Sequence, residues 1–160
     1  GSPSSAVPRS ALPLRTLGNK IVGSDGTPVR LACVNWYGSH LRQSVPNGLA
    51  AVSAREFAKT IASMGFNCVR FPFSVDNVFE TVVPNASSTL AANPDLLGRS
   101  PLEVFDAAVA ALTSEGLLVI VNNHNSAGGW CCSDSDGEGL WHTVKYPEAR
   151  WLEALASVSR

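Results

Sequence analysis

Residues 117–121 (LLVIV) form an unbroken apolar run, which constrains the fold more than any other stretch of the chain. Three of these five residues are β-branched, a pattern typical of a strand that is buried on both faces. The sequence becomes polar at residues 122–125 (NNHN) and then enters a glycine-containing loop. Polar side chains at the carboxyl end of a buried parallel strand form the sites of α/β proteins, so we expect a functional site there.

Two earlier stretches predict similar strands, at residues 31–36 (LACVNW) and 66–73 (FNCVRFPF). A helix is expected after each of the three strands. The first two helices begin at Ser-x-x-Glu capping boxes that start at Ser53 and Ser100, and the third begins at Pro147. The order β-α-β-α-β-α predicts parallel strands that are joined by right-handed crossovers.

The connections differ in length at the two ends of the expected sheet. The segments that follow the strands are long, at residues 37–52, 74–99 and 123–146, whereas each helix-to-strand connection is about two residues. Long loops at one end are how a (β/α)8 TIM barrel builds its active face. Three strands cannot close such a barrel, so we expect the first three βα units of a longer protein. A small open three-layer domain that is complete in itself remains the alternative.

The N-terminal part is expected to contribute little to the barrel. Residues 1–13 are interpreted as a disordered lead-in, and residues 1–10 lack the apolar core of a signal peptide. Residues 14–160 are expected to form the incomplete barrel domain. It is preceded by an antiparallel hairpin whose strands, 14–21 and 29–31, flank a Gly-Ser-Asp-Gly turn.

Composition and cysteine content narrow the class of protein. A net charge of −1 with scattered Lys and Arg gives no attraction to nucleic acid or to an anionic membrane surface, so neither partner is expected. Cys33 and Cys68 lie in apolar strands and are expected to be buried free thiols. Cys131 and Cys132 lie in a polar loop, where they suggest disulfides and an oxidising compartment.

Several polar side chains fall at the carboxyl ends of the expected strands, namely Asn35, Arg70, Asn122 and His124. Arg70 lies within an apolar strand, and a buried guanidinium needs a charged or hydrogen-bonding partner. It either orients a catalytic carboxylate and lowers the pKa of that group, or it is bound by backbone carbonyls. His124, taken alone, is more typical of a hydrogen-bonded structural histidine than of a functional one.

Neither a metal site nor a cofactor is expected. The three histidines lack short ligand spacing, and the adjacent cysteines are not a Cys-x-x-Cys pair. The acidic loop falls short of EF-hand spacing and is interpreted as a solvated turn; its acidic residues are Asp134, Asp136 and Glu138.

Three tryptophans lie at strand exits or in the long loops: Trp36, Trp130 and Trp141. Aromatic rings in such positions suit stacking against the apolar faces of sugars, although core packing is an equal alternative for each. Trp151, on the apolar stripe of the last helix, is expected in the core.

The order and spacing of four segments resemble the amino-terminal part of glycoside hydrolase family 5, the cellulase-type retaining glycosidases. These segments are residues 29–38 (VRLACVNWYG), 65–74 (GFNCVRFPFS), 100–125 and 139–143 (GLWHT). The resemblance implies a (β/α)8 barrel that cleaves O-glycosidic bonds of a β-glucan-type polysaccharide, and it suggests secretion.

The resemblance also assigns roles to individual residues. Arg70 matches the arginine that supports the catalytic nucleophile, and His124 matches the histidine that lines the sugar subsite beside the cleaved bond. Substrate contacts are expected from Asn35, Trp36, Asn122, His124, Trp130 and Trp141. Asn122 stands where the family usually has an aspartate, which alters the local hydrogen-bond network but not the fold.

Both catalytic glutamates are expected to lie outside this chain. The family places its acid/base in an Asn-Glu-Pro stretch after the fourth strand and its nucleophile at the end of the seventh. We therefore expect this fragment to be inactive alone and to need the C-terminal half of the barrel. The alternatives are a non-catalytic carbohydrate-binding half-barrel and an unrelated α/β nucleotide-binding module, for which no phosphate loop is present.

Overall fold

The computed structural model describes residues 7–159. A three-stranded parallel sheet has the order β3-β4-β5, and a separate antiparallel ribbon is formed by β1 and β2. The strands are β1 Arg15–Leu17, β2 Lys20–Val22, β3 Cys33–Asn35, β4 Cys68–Ser74 and β5 Leu118–Asn125. The helices are α1 Ala54–Ser63, α2 Val75–Phe79, α3 Ala86–Thr89, α4 Pro101–Ser114 and α5 Glu148–Val158.

The core lies between β4 and the helices α1 and α4. Phe71 and Phe73 of β4 are fully buried, and the Phe71 ring stacks on Phe105 of α4 at 4.4 Å between ring centroids. Ile61 of α1 and Leu112 of α4 belong to the same cluster. Burial of each such side chain contributes about 1.5–3 kcal/mol, so this contact holds the sheet and its crossover helices together.

The helices begin where the capping residues predict. The Ser100 hydroxyl accepts from the Glu103 N–H, and the Glu103 carboxylate accepts from the Ser100 N–H at 2.7 Å, which completes the capping box. The Ser53 hydroxyl accepts from the Glu56 N–H at 3.2 Å. Gly116 follows α4 with a φ of +77°, a conformation that favours glycine and ends the helix before β5.

The expectation that the third strand is buried on both faces is wrong. Ile120 and Val121 of β5 are each 45% exposed. The reason is the position of β5 at the edge of the sheet: among residues 7–159 it pairs only with β4.

The hairpin is displaced from its predicted place. Leu17 pairs with Lys20, so β1 and β2 are joined at residues 18–19, and the turn at residues 23–26 instead leads to an isolated bridge between Val22 and Pro28. Residues 1–6 of the expected lead-in lie outside the described residues. Arg9–Ala11 is a 3-10 turn, and the Ser24 N–H donates to the Ala11 carbonyl at 2.9 Å.

The expectation of two buried free thiols is also wrong. Cys33 and Cys68 form a disulfide, because the strand register places them opposite each other on β3 and β4 with their Cα atoms 4.3 Å apart. Cys131 and Cys132 form a second disulfide between adjacent residues, as the loop position of these cysteines suggested. No helix within residues 7–159 has the length and apolar character needed to cross a membrane.

Candidate functional site

Arg70 and His124 meet at the carboxyl end of the sheet. Arg70 Nη2 lies 3.2 Å from His124 Nδ1, and both side chains are half-buried. Because a guanidinium only donates, Nδ1 must accept, and the neutral ring carries its proton on Nε2. Burial lowers the pKa of His124, and the Arg70 charge lowers it further, so the ring is neutral at neutral pH.

The second ring nitrogen of His124 faces the disulfide loop, since Nε2 lies 3.3 Å from Cys131 Sγ. The side chains of His124, Cys131 and Cys132 place their potential ligand atoms within 4.8 Å of one another. These three side chains do not suit a metal ion. The two sulfurs are bonded to each other, and the lone pair of His124 Nδ1 accepts a hydrogen bond from Arg70. The sequence expectation on metals rested on spacing and did not foresee this approach.

His40 completes this cluster, and the sequence reasoning did not place it there. It is 3% exposed, and its ring packs edge-on against His124 with centroids 4.7 Å apart. Its Nδ1 has no hydrogen-bond partner among the described residues. Burial, followed by repulsion from His124 and Arg70, lowers the pKa of His40 to about 4. The sequence feature that could have indicated His40 as a site residue is its position, four residues beyond the end of the first predicted strand.

An exposed aromatic surface adjoins the histidines. Trp130 is 77% exposed, and its ring lies 6.0 Å from Tyr37 and 6.2 Å from His40 between centroids. Tyr37, which the sequence did not single out, is also exposed. The two rings offer π-faces and apolar area to a ligand that lies beside His124.

Trp36 does not belong to this surface, so its assignment as a substrate contact is corrected. It is 3% exposed, its ring is stacked on Phe57 at 4.3 Å, and its Nε1–H donates to the Asn47 carbonyl at 2.8 Å. Phe57 belongs to α1, and the sequence of the strand that contains Trp36 does not indicate that this helix covers the ring.

The remaining predicted residues are distributed around the carboxyl end of the sheet. Asn35 is exposed at the end of β3. Asn122 donates to the Asn123 carbonyl at 3.0 Å, while its buried Oδ1 has no partner among residues 7–159. Trp141 is exposed and packs on His142 rather than on the Trp130 surface. Trp151 is half-buried against the core, and its Nε1–H donates to Asn123 Oδ1 at 2.8 Å.

A groove of about 490 Å³ runs beside Trp130. The loop after β5 forms one wall and the loop after β3 forms the other; the lining includes Arg42, Gln43, Asn125, Trp130, Asp136 and Glu138. Its lining combines an aromatic ring with amide, guanidinium and carboxylate groups, a mixture that suits a hydroxyl-rich ligand.

The carboxylates at this edge hold the loops in place. Glu138 accepts from the N–H groups of Ser126 and Ala127 at 2.6 and 2.8 Å. Asp136 accepts from the N–H groups of Cys132 and Ser133. Residues 132–137 are exposed, so the acidic loop is a solvated turn, as expected, whose shape these hydrogen bonds hold.

Asp76 of α2 binds three groups from the long segment between β5 and α5, namely the Gly128 N–H, the Lys145 ammonium and the Tyr146 hydroxyl. Burial favours a higher pKa for Asp76, but these hydrogen bonds outweigh it and the pKa is lowered. The charged carboxylate thus fastens the groove-forming loop 126–129 to the body of the domain.

Comparison with known proteins gives a consistent result. The family model described as Cellulase (glycosyl hydrolase family 5) matches residues 22–157. A glycosyl hydrolase 5 family protein of Chamaecyparis obtusa is 38% identical over 94% of this chain and 30% of its own length. The major extracellular endoglucanase of Xanthomonas campestris is 31% identical over 88% of this chain and 28% of its own.

A solved structure extends this similarity to three dimensions. The endocellulase of Pyrococcus horikoshii, in complex with cellotetraose, superposes with a TM-score of 0.74 and 25% identity over 91% of this chain and 38% of that protein. The chain therefore spans about a third of the length of the relatives it matches.

Proposed function

Since this chain belongs to glycosyl hydrolase family 5 and its open sheet is a partial (β/α)8 barrel, we propose that it serves an enzyme that hydrolyses β-glucan-type polysaccharide. Within that enzyme it supplies the first three βα units and one side of the sugar-binding cleft. Internal cleavage, the endoglucanase mode, is proposed because the relatives bear that description.

The observation that supports this proposal is the Arg70–His124 pair beside the exposed ring of Trp130. Arg70 fixes the His124 tautomer with the proton on Nε2. This N–H faces Cys131 Sγ at 3.3 Å, a weak acceptor that a sugar hydroxyl would replace. Trp130 offers a flat apolar face to the sugar ring. A polar donor with an adjacent aromatic face is the chemistry that a pyranose unit requires.

We assign roles to the remaining residues on the same basis. Arg70 supports the nucleophile, following the family motif, and its guanidinium would then lower the pKa of that carboxylate. Asn35 and Asn122 supply amides at the ends of β3 and β5, and Trp141 supplies a further exposed ring.

We further propose that residues 1–160 alone do not hydrolyse glycans. A retaining glycosidase needs two carboxyl groups about 5–5.5 Å apart, one as acid/base and one as nucleophile. The carboxylates of Asp76, Asp136 and Glu138 are instead bound to backbone N–H groups of the loops. The catalytic pair therefore comes from the rest of the barrel.

The edge of the sheet supports the need for further strands. Ile120 and Val121 of β5 are exposed, although an apolar edge strand is a site of unwanted pairing and is usually covered. The next strand of a (β/α)8 barrel would cover them. Secretion is proposed from the two disulfides, which persist in oxidising compartments.

The experiment that tests the site is titration with cellotetraose by calorimetry, using the unmodified chain and two variants. We expect His124→Ala and Trp130→Ala each to weaken binding at least about tenfold, or about 1.4 kcal/mol. Met64→Ala is the control, because this exposed side chain ends α1 just before β4 and lies away from the groove. Equal affinity in all four proteins would refute the assignment of the site.

A further inference from the structure

We propose that Asn85 is modified with an N-linked oligosaccharide. Asn85, Ala86 and Ser87 form the only Asn-x-Ser/Thr triplet in the chain, although the sequence contains ten asparagines. The residue between Asn and Ser is alanine and not proline, which the acceptor motif requires. The proposal is independent of hydrolytic activity, because it concerns a surface turn outside the groove.

The structure presents this triplet at the surface. Asn85 and Ser87 are both exposed, in the turn that begins the short helix α3. Asn85 has a φ of +51°, a left-handed conformation that asparagine tolerates better than most residues. Its backbone carbonyl accepts from the N–H groups of Ser88 and Thr89 at 2.9 and 3.0 Å, so the turn is fixed while the side chain extends from it.

The side-chain amide of Asn85 is free to react. Its Nδ2 has no hydrogen-bond partner among the described residues, and it makes no capping bond to α3. Most other asparagines use Nδ2 as a donor within the fold, namely Asn47, Asn67, Asn77, Asn93, Asn122, Asn123 and Asn125. A glycan at Asn85 therefore replaces no internal hydrogen bond and meets no buried surface.

The chemistry needs one co-substrate, a polyprenyl-pyrophosphate-linked oligosaccharide. Nδ2 forms a bond to the anomeric carbon, the bond from that carbon to the pyrophosphate oxygen breaks, and polyprenyl pyrophosphate leaves with the electron pair. One proton is lost from Nδ2, and nothing is oxidised or reduced. The two disulfides indicate that the chain folds in an oxidising compartment, the environment of secreted proteins, in which such surface glycosylation occurs.

The test is secretion of the protein from a eukaryotic host that glycosylates a co-expressed reference protein. Peptide N-glycosidase in heavy-oxygen water converts a glycosylated asparagine into labelled aspartate, which peptide mass spectrometry locates. We expect the label at position 85 in the unmodified protein and in Ser87→Thr. We expect its complete loss in Ser87→Ala and in Asn85→Gln.

These variants separate the motif from the fold. Ser87 is exposed, and its side chain makes no hydrogen bond to any residue of the range 7–159, so Ser87→Ala and Ser87→Thr differ in the acceptor motif and not in packing. Absence of label from both the unmodified protein and Ser87→Thr, while the reference protein is glycosylated, would overturn the proposal. Label that persists in Ser87→Ala would overturn it equally.

Discussion

Strands β4 and β5 lie side by side in register and have similarly apolar sequences, but their surroundings differ. β4 is flanked by a strand on each side, and Val69, Phe71 and Phe73 are fully buried. Within the described range 7–159, β5 pairs with β4 alone, which leaves Ile120 and Val121 half exposed. An apolar run therefore specifies a strand, whereas the burial of that strand depends on neighbours that belong to other parts of the protein.

The largest loss of stability is expected when one side chain in each strand is truncated and the two losses are compared. Phe71→Ala removes a buried ring that stacks on Phe105 and should lower the free energy of unfolding by about 3–5 kcal/mol. Val121→Ala, on the exposed edge, should cost less than about 1 kcal/mol. Urea unfolding measures both values. Similar costs at the two positions would show that the strands are equally buried, contrary to this description.

The next test compares the two disulfides, one between strands β3 and β4 and one in the loop after β5. The Cys33–Cys68 disulfide closes a loop of 35 residues between β3 and β4, so the Cys33→Ala/Cys68→Ala variant should lose about 2–4 kcal/mol. The matched variant Cys131→Ala/Cys132→Ala opens a link between adjacent residues and should cost much less. Thermal unfolding of both variants ranks them, and a reversed order would contradict the entropic explanation.

The smallest stability effect is a pH dependence at the site end of β5. His40 packs on His124 and has a pKa of about 4 in the folded protein against 6.5 ordinarily. Between these pH values the unfolded chain binds more protons at His40 than the folded protein does. The contribution of neutral His40 to the free energy of unfolding is therefore fully present above about pH 6.5 and is lost as the pH drops toward 4. The expected loss is about 1–3 kcal/mol.

Urea unfolding at a series of pH values measures this effect, with His40→Gln as the control. The variant should retain only the smaller dependence that comes from His124, whose pKa is also lowered. An unchanged pH dependence in His40→Gln would place the titrating group elsewhere.

Local signals made much of the fold predictable. Ser53 and Ser100 are followed by glutamate at the capping position, and the interaction is complete within a few residues, so the helix starts were readable from the sequence. Arg70 and His124 were placed at one edge because parallel strands bring their carboxyl ends together. The register pairs Arg70 with Ile120 and not with His124, so their mutual hydrogen bond depends on the conformations of the two side chains, which the sequence does not give.

Features that depend on distant segments were not predictable. Trp36 looks like an exposed aromatic at a strand exit until Phe57 of α1 covers its ring. The Cys33–Cys68 disulfide depends on the register of β3 against β4, which neither strand specifies alone. Asp76 binds groups more than 50 residues away, and no local pattern announces such a partner.

Release of reducing sugar from a soluble β-glucan measures hydrolysis itself. The measurement is made with the chain of 160 residues and with the protein extended through the remainder of its reading frame. We expect no release above background from the chain alone, and release from the extended protein that depends on two glutamates outside residues 1–160. Hydrolysis by the chain alone, lost on substitution of one of its own carboxylates, would contradict the proposal.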